Sequence, residues 1–392
     1  MSKSTIFILL LAIFVSLMGV GIIGPIIPVY AVELGATGLA LGLMVAGFSI
    51  SRTIVQPVVG SYSDRIGRKR FMVIGLTLYA VAAVTYSFAT SVGHLIIVRV
   101  VHGTGSAMIV PMAMALMADY APPGQEGRYM GILNVAIFAG IGSGPVLGGV
   151  FRDLWGIDSA FYAMAVLSLL AAVLVFVRIP STDTGDASSQ TGIISTLGKM
   201  LKRRRVSGVL LSRLATMLIM SPTFGFVPIL MTEDLDSSGI EIGAVVATRT
   251  LANALLQSPF GKLADRRNKV VIVASGSLAM AVIVFCVPFA TSLAQFLVLF
   301  LLLGMSEAVV LPALGAFAVE EGREFGQGSM MGVFSMSMSL GVLIGSMLGG
   351  LLMDVLGLQY SFYGTAILLV ISTAIACWLI VSGQSSAQLK SV

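Results

Sequence analysis

Gly144-Pro-Val-Leu-Gly-Gly-Val-Phe-Arg-Asp-Leu-Trp-Gly156 returns later in the chain as Gly345-Ser-Met-Leu-Gly-Gly-Leu-Leu-Met-Asp-Val-Leu-Gly357. Every copy lies 201 residues after its original, as Gly345 does after Gly144. The same shift carries Gln56 to Gln257, Gly60 to Gly261, Asp64 to Asp265, Arg65 to Arg266, Gly103 to Gly304 and Pro111 to Pro312. It also carries Phe161-Tyr162 to Phe362-Tyr363. A constant offset means that neither copy has gained or lost residues on balance. The chain is a duplicated unit, and internal duplication in an apolar chain is typical of secondary transporters.

The 392 residues are 57% hydrophobic and only 10% charged. A soluble domain carries about 25% charged residues, so this chain cannot cover a water-facing surface and must face lipid. A hydrocarbon core about 30 Å thick needs about 20 helical residues. Apolar runs of that order fall at 6–30, 38–61, 70–90, 94–117, 127–151, 157–178, 206–231, 239–263, 269–290, 292–317, 326–350 and 358–382. The expectation is an all-α membrane protein of twelve transmembrane helices in two pseudo-symmetric six-helix halves. Residues 1–179 form the first half, 180–205 a cytoplasmic linker and 206–392 the second half. The linker is read as flexible from its polar composition. The run from Ile6 to Tyr30 is too long for a signal-peptide core and reads as the first, retained helix.

Charge sets the expected orientation. With the N-terminus inside, the inner segments hold 18 of the 23 basic residues, in clusters such as Arg65 to Arg70, Lys202 to Arg205 and Lys262 to Lys269. The outer loops hold one base, Arg152, and carry acids such as Glu33, Asp158, Glu233, Asp234 and Asp236. This bias places both termini in the cytoplasm of a cell membrane crossed many times. The net charge of +5 is therefore an orientation signal, and no nucleic-acid partner is expected. Cys286 and Cys377 lie in apolar runs and read as buried packing residues, with no metal site. Gly19-Val-Gly21-Ile-Ile-Gly24 matches the dinucleotide fingerprint, but no strand precedes it, so it reads as close helix packing. No cofactor is expected, and a monomer is.

Gly60-Ser-Tyr-Ser-Asp64-Arg65-Ile-Gly67-Arg68-Lys69-Arg70 sits between the second and third runs, and Gly261-Lys-Leu-Ala-Asp265-Arg266-Arg267 repeats it in the second half. Glycine permits a tight turn and close approach, and an aspartate suits a helix N-terminus. In the fifth run Gly140, Gly144 and Gly148 share one helix face, with Gly149 beside it, and Pro145 removes a backbone donor there. The fourth run carries Arg99-Val-Val-His102-Gly103, and the first Gly24-Pro25-Ile-Ile-Pro28.

These motifs resemble those of the major facilitator superfamily over the whole chain, most closely its twelve-helix drug:proton antiporter branch. The resemblance implies a gate in which Asp64 meets the start of the eleventh helix while Arg68 bridges to Asp119. It implies that the glycine–proline face of the fifth helix packs on the eighth, and that Arg99 serves proton coupling. His102 stands where glutamine is more usual. The acid that many drug exporters carry in the first helix is absent, and Glu33 lies at its outer end. In the superfamily fold the first, fourth, seventh and tenth helices line a central cavity, so Glu307 and His102 would face each other across it.

Arg52, Arg99, His102, Arg213, Arg249 and Glu307 lie deep in apolar runs. A mid-helix charge costs about 2.5–3.5 kcal/mol on insertion scales, so such residues face a partner or a wet cavity. Glu307 is the one deep acid, and the repeat aligns it with Ser106, one turn from His102. It is the expected proton carrier, with His102 and Arg99 assisting. Its opposing reading is a structural ion pair with an arginine. Arg52, Gln56, Asn134, Arg213, Arg249, Asn253 and Gln257 are the candidate substrate contacts, and the motif residues Gly60, Asp64, Arg65, Gly67, Arg68 and Asp119 the candidate gate. No ATP-binding motif occurs, so an ion gradient would supply the energy. The sequence thus points to a proton-coupled exporter of small amphipathic or drug-like molecules, a multidrug antiporter working by alternating access. A sugar, organic-anion or metabolite exporter or uniporter of the same fold is the second reading, favoured by the arginine excess. An intramembrane enzyme lacks any of its motifs: HExxH, GxSxG or paired aspartates.

Overall fold

The computed structural model describes residues 3–24, 26–36, 38–180, 193–220, 222–237 and 239–388. Every regular element among them is helical. In the first half these are α1 (Lys3–Ile23), α2 (Ile26–Glu33), α3 (Gly38–Ile66), α4 (Arg68–Ser87), α5 (Val92–Tyr120), α6 (Glu126–Trp155) and α7 (Ile157–Arg178). The second half holds α8 (Ile193–Lys202), α9 (Arg204–Leu218), a π turn (Pro222–Phe226), α10 (Val227–Leu235), α11 (Gly239–Arg266) and α12 (Lys269–Cys286). A 3-10 turn (Val287–Phe289), α13 (Leu293–Phe325), α14 (Gln327–Leu356) and α15 (Leu358–Gln388) complete it. Among the described residues ten stretches are long and apolar enough to cross a membrane. The other two expected spans, α3 and α11, have 29 and 28 residues, about 40 Å of helix each, and are the ones that carry Arg52 and Arg249.

The chain divides into two compact units, and the division does not follow the midpoint. One unit comprises 1–121, 136–190 and 322–336; the other comprises 122–135, 191–321 and 337–392. Thus α6 and α14 each begin in one unit and continue in the other. Within the first unit α3 packs on α5, α5 on α4, α4 on α7 and α7 on α1. Within the second, α9 packs on α15 and α15 on α12. Shifted by 201 residues, these are the α1–α7 and α7–α4 pairs again. Apolar side chains fill each interior, with Leu9, Tyr79, Leu95 and Phe161 fully buried in one unit and Phe296, Phe300, Phe362 and Ala376 in the other.

Four expectations are corrected. The first and seventh runs are not continuous helices. α1 stops at Ile23 and α2 restarts at Ile26, and α9 gives way to the π turn at Pro222. Proline lacks the amide donor and its ring clashes with the preceding turn, so the ladder breaks at Pro222, while α1 closes in a turn at Gly24. The reading of 180–205 as a flexible linker is also changed in part. Residues 181–192 lie outside the described residues, but 193–202 is helical because Ile193, Leu197, Met200 and Leu201 recur at helical spacing among serine, threonine and lysine. The seventh run accordingly begins at Arg204 rather than 206. Finally, Cys286 and Cys377 are free and only half-buried, because both helix faces bearing them reach the apolar exterior.

Candidate functional site

A continuous polar chain runs through the second unit. Arg249 on α11 is 2% exposed and Glu307 on α13 is 4% exposed. A β-carbon on Gly304 would strike the Arg249 carbonyl oxygen, so the glycine lets α13 approach α11 one turn before Glu307. The guanidinium then grips the carboxylate with two donors: Nε donates to Oε2 at 3.1 Å, and Nη2 donates to Oε1. Arg249 Nη1 donates to Thr223 Oγ1 in the π turn, and the guanidinium lies 4.6 Å from the Phe224 ring centroid. Asn253 Nδ2 donates to Glu307 Oε2 at 3.0 Å. Gln257 Nε2 donates to Asn253 Oδ1, and Asn134 Nδ2 donates to Gln257 Oε1 at 3.1 Å. Arg249, Asn253 and Gln257 are four apart on one helix face, which is why α11 can carry the whole series.

The pair is buried and its polar atoms are occupied, so its attraction is not spent on water. Removing either partner from a buried ion pair costs about 3–5 kcal/mol, because the other charge stays behind. Chemically the arrangement depends on the charge of Glu307. A carboxylate can accept both guanidinium donors and the Asn253 amide at once. A protonated Glu307 has one oxygen turned donor and cannot hold the bidentate grip.

The first unit holds a second cluster of different composition. Arg52 is the central residue of α3. Its guanidinium lies 5.5 Å from the Phe48 ring centroid, and that of Arg99 on α5 lies 5.6 Å from the same ring. His102 is fully buried; its Nδ1 is 3.2 Å from the Tyr86 hydroxyl. Its ring meets those of Tyr79 and Phe48 edge-on at 4.6 and 5.3 Å. Among the described residues no carboxylate pairs with Arg52 or Arg99. Gln56 is fully buried one turn further along α3.

Two aspartates cap helix N-termini. Asp64, at the end of α3, accepts from the backbone of Gly328 and Ser329 at 2.7 Å each and from Ser329 Oγ at 2.8 Å. These are the first-turn donors of α14, where a negative charge is favoured. Arg68 donates to Asp64 at 3.1 Å and also pairs with Asp119. Gly67, at φ 98°, permits the turn between α3 and α4, and a β-carbon on Gly60 would come within 3.0 Å of the Gly332 Cα. Arg65 is exposed. In the second unit Asp265 accepts from the backbone of Gly127 and Arg128 at 2.7 and 3.0 Å, capping α6. Burial pushes the Asp265 carboxyl above its usual range, against the opposite pull of those two hydrogen bonds.

Other expected residues fall elsewhere. Arg213 donates to Met338 Sδ at 3.1 Å. Glu307 and His102 belong to different units, and each has the partners given above within its own. The glycine face of the fifth run does not rest on the eighth: Gly140 packs against Phe14 and Leu17, Gly144 against Gly21 and Gly148 against Ile22, all of α1. Glycine meets glycine at 21 and 144, which suits backbone contact in a way that Leu255 or Leu251 on α11 would not. Gly149 has no neighbour within 4 Å of a β-carbon, and Pro145 is exposed. Repeat-related glycines 341 and 345 pack on Leu214 and Leu218 of α9 in the same manner. Thr223, Tyr79 and Tyr86 were not singled out by the sequence. For Thr223 a signal exists: proline and glycine interrupt an apolar run on either side of it.

The sequence pattern of the Major Facilitator Superfamily matches residues 9–226 and again 208–391. The chain belongs to the major facilitator superfamily. Its duplication is thus matched half by half. An uncharacterised MFS-type transporter of Methanocaldococcus jannaschii is 30% identical over 373 residues, which is 94% of this chain and 96% of that protein. The quinolone resistance protein NorA of Staphylococcus aureus is 26% identical over 355 residues, covering 89% of this chain and 90% of its own. The crystal structure of the human organic anion transporter MFSD10 (TETRAN) superposes with a TM-score of 0.84 at 18% identity, over 95% of this chain and 98% of that one, a likeness of fold alone. As a member of the superfamily the protein is a multi-pass membrane transporter of the major facilitator fold.

Proposed function

We propose that the protein is a proton-coupled exporter of small amphipathic molecules, acting as a monomer in the cytoplasmic membrane with both termini inside. The halves 1–179 and 206–392 would alternate access to a site between the two sides of the membrane. The observation that carries this reading is the buried bidentate pair of Arg249 and Glu307, the deep acid of the chain, wired to Thr223, Asn253, Gln257 and Asn134. Proton uptake by Glu307 breaks the bidentate grip and frees Arg249, and proton release restores it. Each event changes which neighbours α11 and α13 hold, so the proton and the conformation are linked. Asp64 and Asp265 would act as latches on the cytoplasmic side. Each caps a helix whose later residues belong to the other unit. The likeness to NorA supports drug-like substrates.

The test is proton-driven transport in proteoliposomes by wild type and Glu307→Gln. Glutamine keeps the shape and a hydrogen-bonding oxygen but cannot carry a proton. Loss of gradient-driven flux with retained ligand binding is expected. Full gradient-driven flux by the variant would remove Glu307 from the coupling path.

A further inference from the structure

The partners given for Arg249 and Glu307 do not include the first-unit cluster, whose own charge is unbalanced. Arg52 and Arg99 occupy the interiors of membrane helices, yet neither meets a carboxylate among the described residues. Both guanidiniums lean on one Phe48 ring, and both keep a buried Nε without an acceptor. His102 Nε2 is buried and unpartnered too, while Tyr86 engages the other ring nitrogen. These donors lie beside the aromatic walls of Phe48, Tyr79 and Tyr86. Cations inside the bilayer require an anion or water. Rings stacked beside them accept the flat apolar body of a ligand. The second unit solves the same problem internally, with Glu307; among the described residues the first does not.

We propose that Arg52, Arg99 and His102 form the recognition site for the acidic group of an aromatic organic anion, so that the exported substrates carry a carboxylate, sulfonate or phosphate. This rests on the reading of the chain as an exporter of small molecules and names their charge. Arg52 and Arg99 supply the charge and forked donors that suit an oxyanion. His102 Nε2 adds a third polar contact, and Phe48 and Tyr79 hold the ring.

The test is equilibrium binding, which needs no gradient and so is independent of whether Glu307 couples protons. Purified protein in nanodiscs of neutral phosphatidylcholine is titrated with 1-naphthoate and with its neutral isostere 1-naphthamide. Naphthoate should bind at least about tenfold more tightly, the size of one good charge-assisted contact. Arg52→Gln and Arg99→Gln should each erase most of that preference while leaving naphthamide binding within about twofold; Arg52→Lys should keep part of it. If a glutamine variant does not fold, the naphthoate-to-naphthamide ratio of wild type and Arg52→Lys decides alone. Equal affinity for acid and amide would overturn the proposal. So would chloride or inorganic phosphate binding as tightly as naphthoate, because the aromatic wall would then contribute nothing. Abolition of naphthoate binding by phosphatidylglycerol in the disc would also overturn it, by showing that a lipid headgroup fills the site.

Discussion

The α3–α5 pair and the α11–α13 pair share one glycine crossing and differ in electrostatics. In the first, a β-carbon on Gly103 would come within 2.6 Å of the Phe48 carbonyl; in the second, one on Gly304 would strike the Arg249 carbonyl. The contacts are related by the 201-residue shift, since Gly304 follows Gly103 and Arg249 follows Phe48 at that offset. The side chains then diverge. Phe48, Arg52 and Ser106 in one unit stand where Arg249, Asn253 and Glu307 stand in the other. One pair is neutral and self-contained. The other has surplus positive charge held against aromatic rings. Arg99 and His102 likewise stand where Phe300 and Leu303 stand. Duplication supplied the close helix crossing, and these five replacements gave its two copies different chemistry.

The comparison breaks most visibly at its offset-related acid position. Glu307→Leu should lower stability by about 3–5 kcal/mol, because Arg249 is left buried without its carboxylate. Ser106→Leu should cost no more than about 1–3 kcal/mol, from overpacking alone. Denaturant titration in a single detergent reads both. A double change, Glu307→Leu with Arg249→Leu, should recover part of the loss, since the unpaired charge is then gone.

The shared scaffold is tested by Gly103→Ala and Gly304→Ala. Each β-carbon meets a backbone oxygen of the partner helix, which cannot turn away as a side chain can. Both should destabilise by a similar amount, about 1–3 kcal/mol in the same titration. A large cost at one and none at the other would show that the two crossings are not equivalent.

The latches give the smallest expected effect and a second asymmetry. Arg68 and Asp119 recur at the offset as Lys269 and Glu320, which also pair, at 2.8 Å. Arg68 reaches its aspartate, and Ser329 adds a hydroxyl donor at that cap. In the second unit Glu320 is drawn to Arg205 as well, and Glu321 pairs with both Arg203 and Arg205. Asp265 is also held above the usual carboxylate range by burial, so a neutral side chain suits its place better. Asp64→Asn should therefore slow transport turnover more than Asp265→Asn, and ligand affinity should change little in either. Labels on the inner loops should report more inward-open protein in the Asp64 variant.

How far the sequence alone reached is clear from these same residues. Asp64 and Asp265 stood out through the loop motif and its copy, and Asn253, Gln257 and Glu307 because a polar residue in an apolar run is costly. The family was legible from the loop motif and its degenerate copy, and the fold followed. The partners were harder. Whether Glu307 stands alone or pairs with Arg249 depends on how close α13 comes to α11, which Gly304 decides in space. The aromatic shell of His102 comes from α3 and α4, whose Phe48, Tyr79 and Tyr86 look like ordinary apolar filler in a linear reading. The glycine face of α6 was assigned to the eighth run by resemblance, whereas the complementary surface is Gly21 on α1. The break at Pro222 was passed over because composition registers apolarity and not a missing amide donor.

The account's central claim is that Glu307 takes up and gives up a proton by leaving and rejoining Arg249. The most direct measurement is an infrared difference spectrum of the purified protein in lipid as pH is lowered, with Glu307→Gln as the control. The account predicts a protonated-carboxyl band that grows on acidification in wild type and is absent in Glu307→Gln. A carboxyl spectrum that is identical in wild type and Glu307→Gln across the whole range in which the protein transports would contradict it.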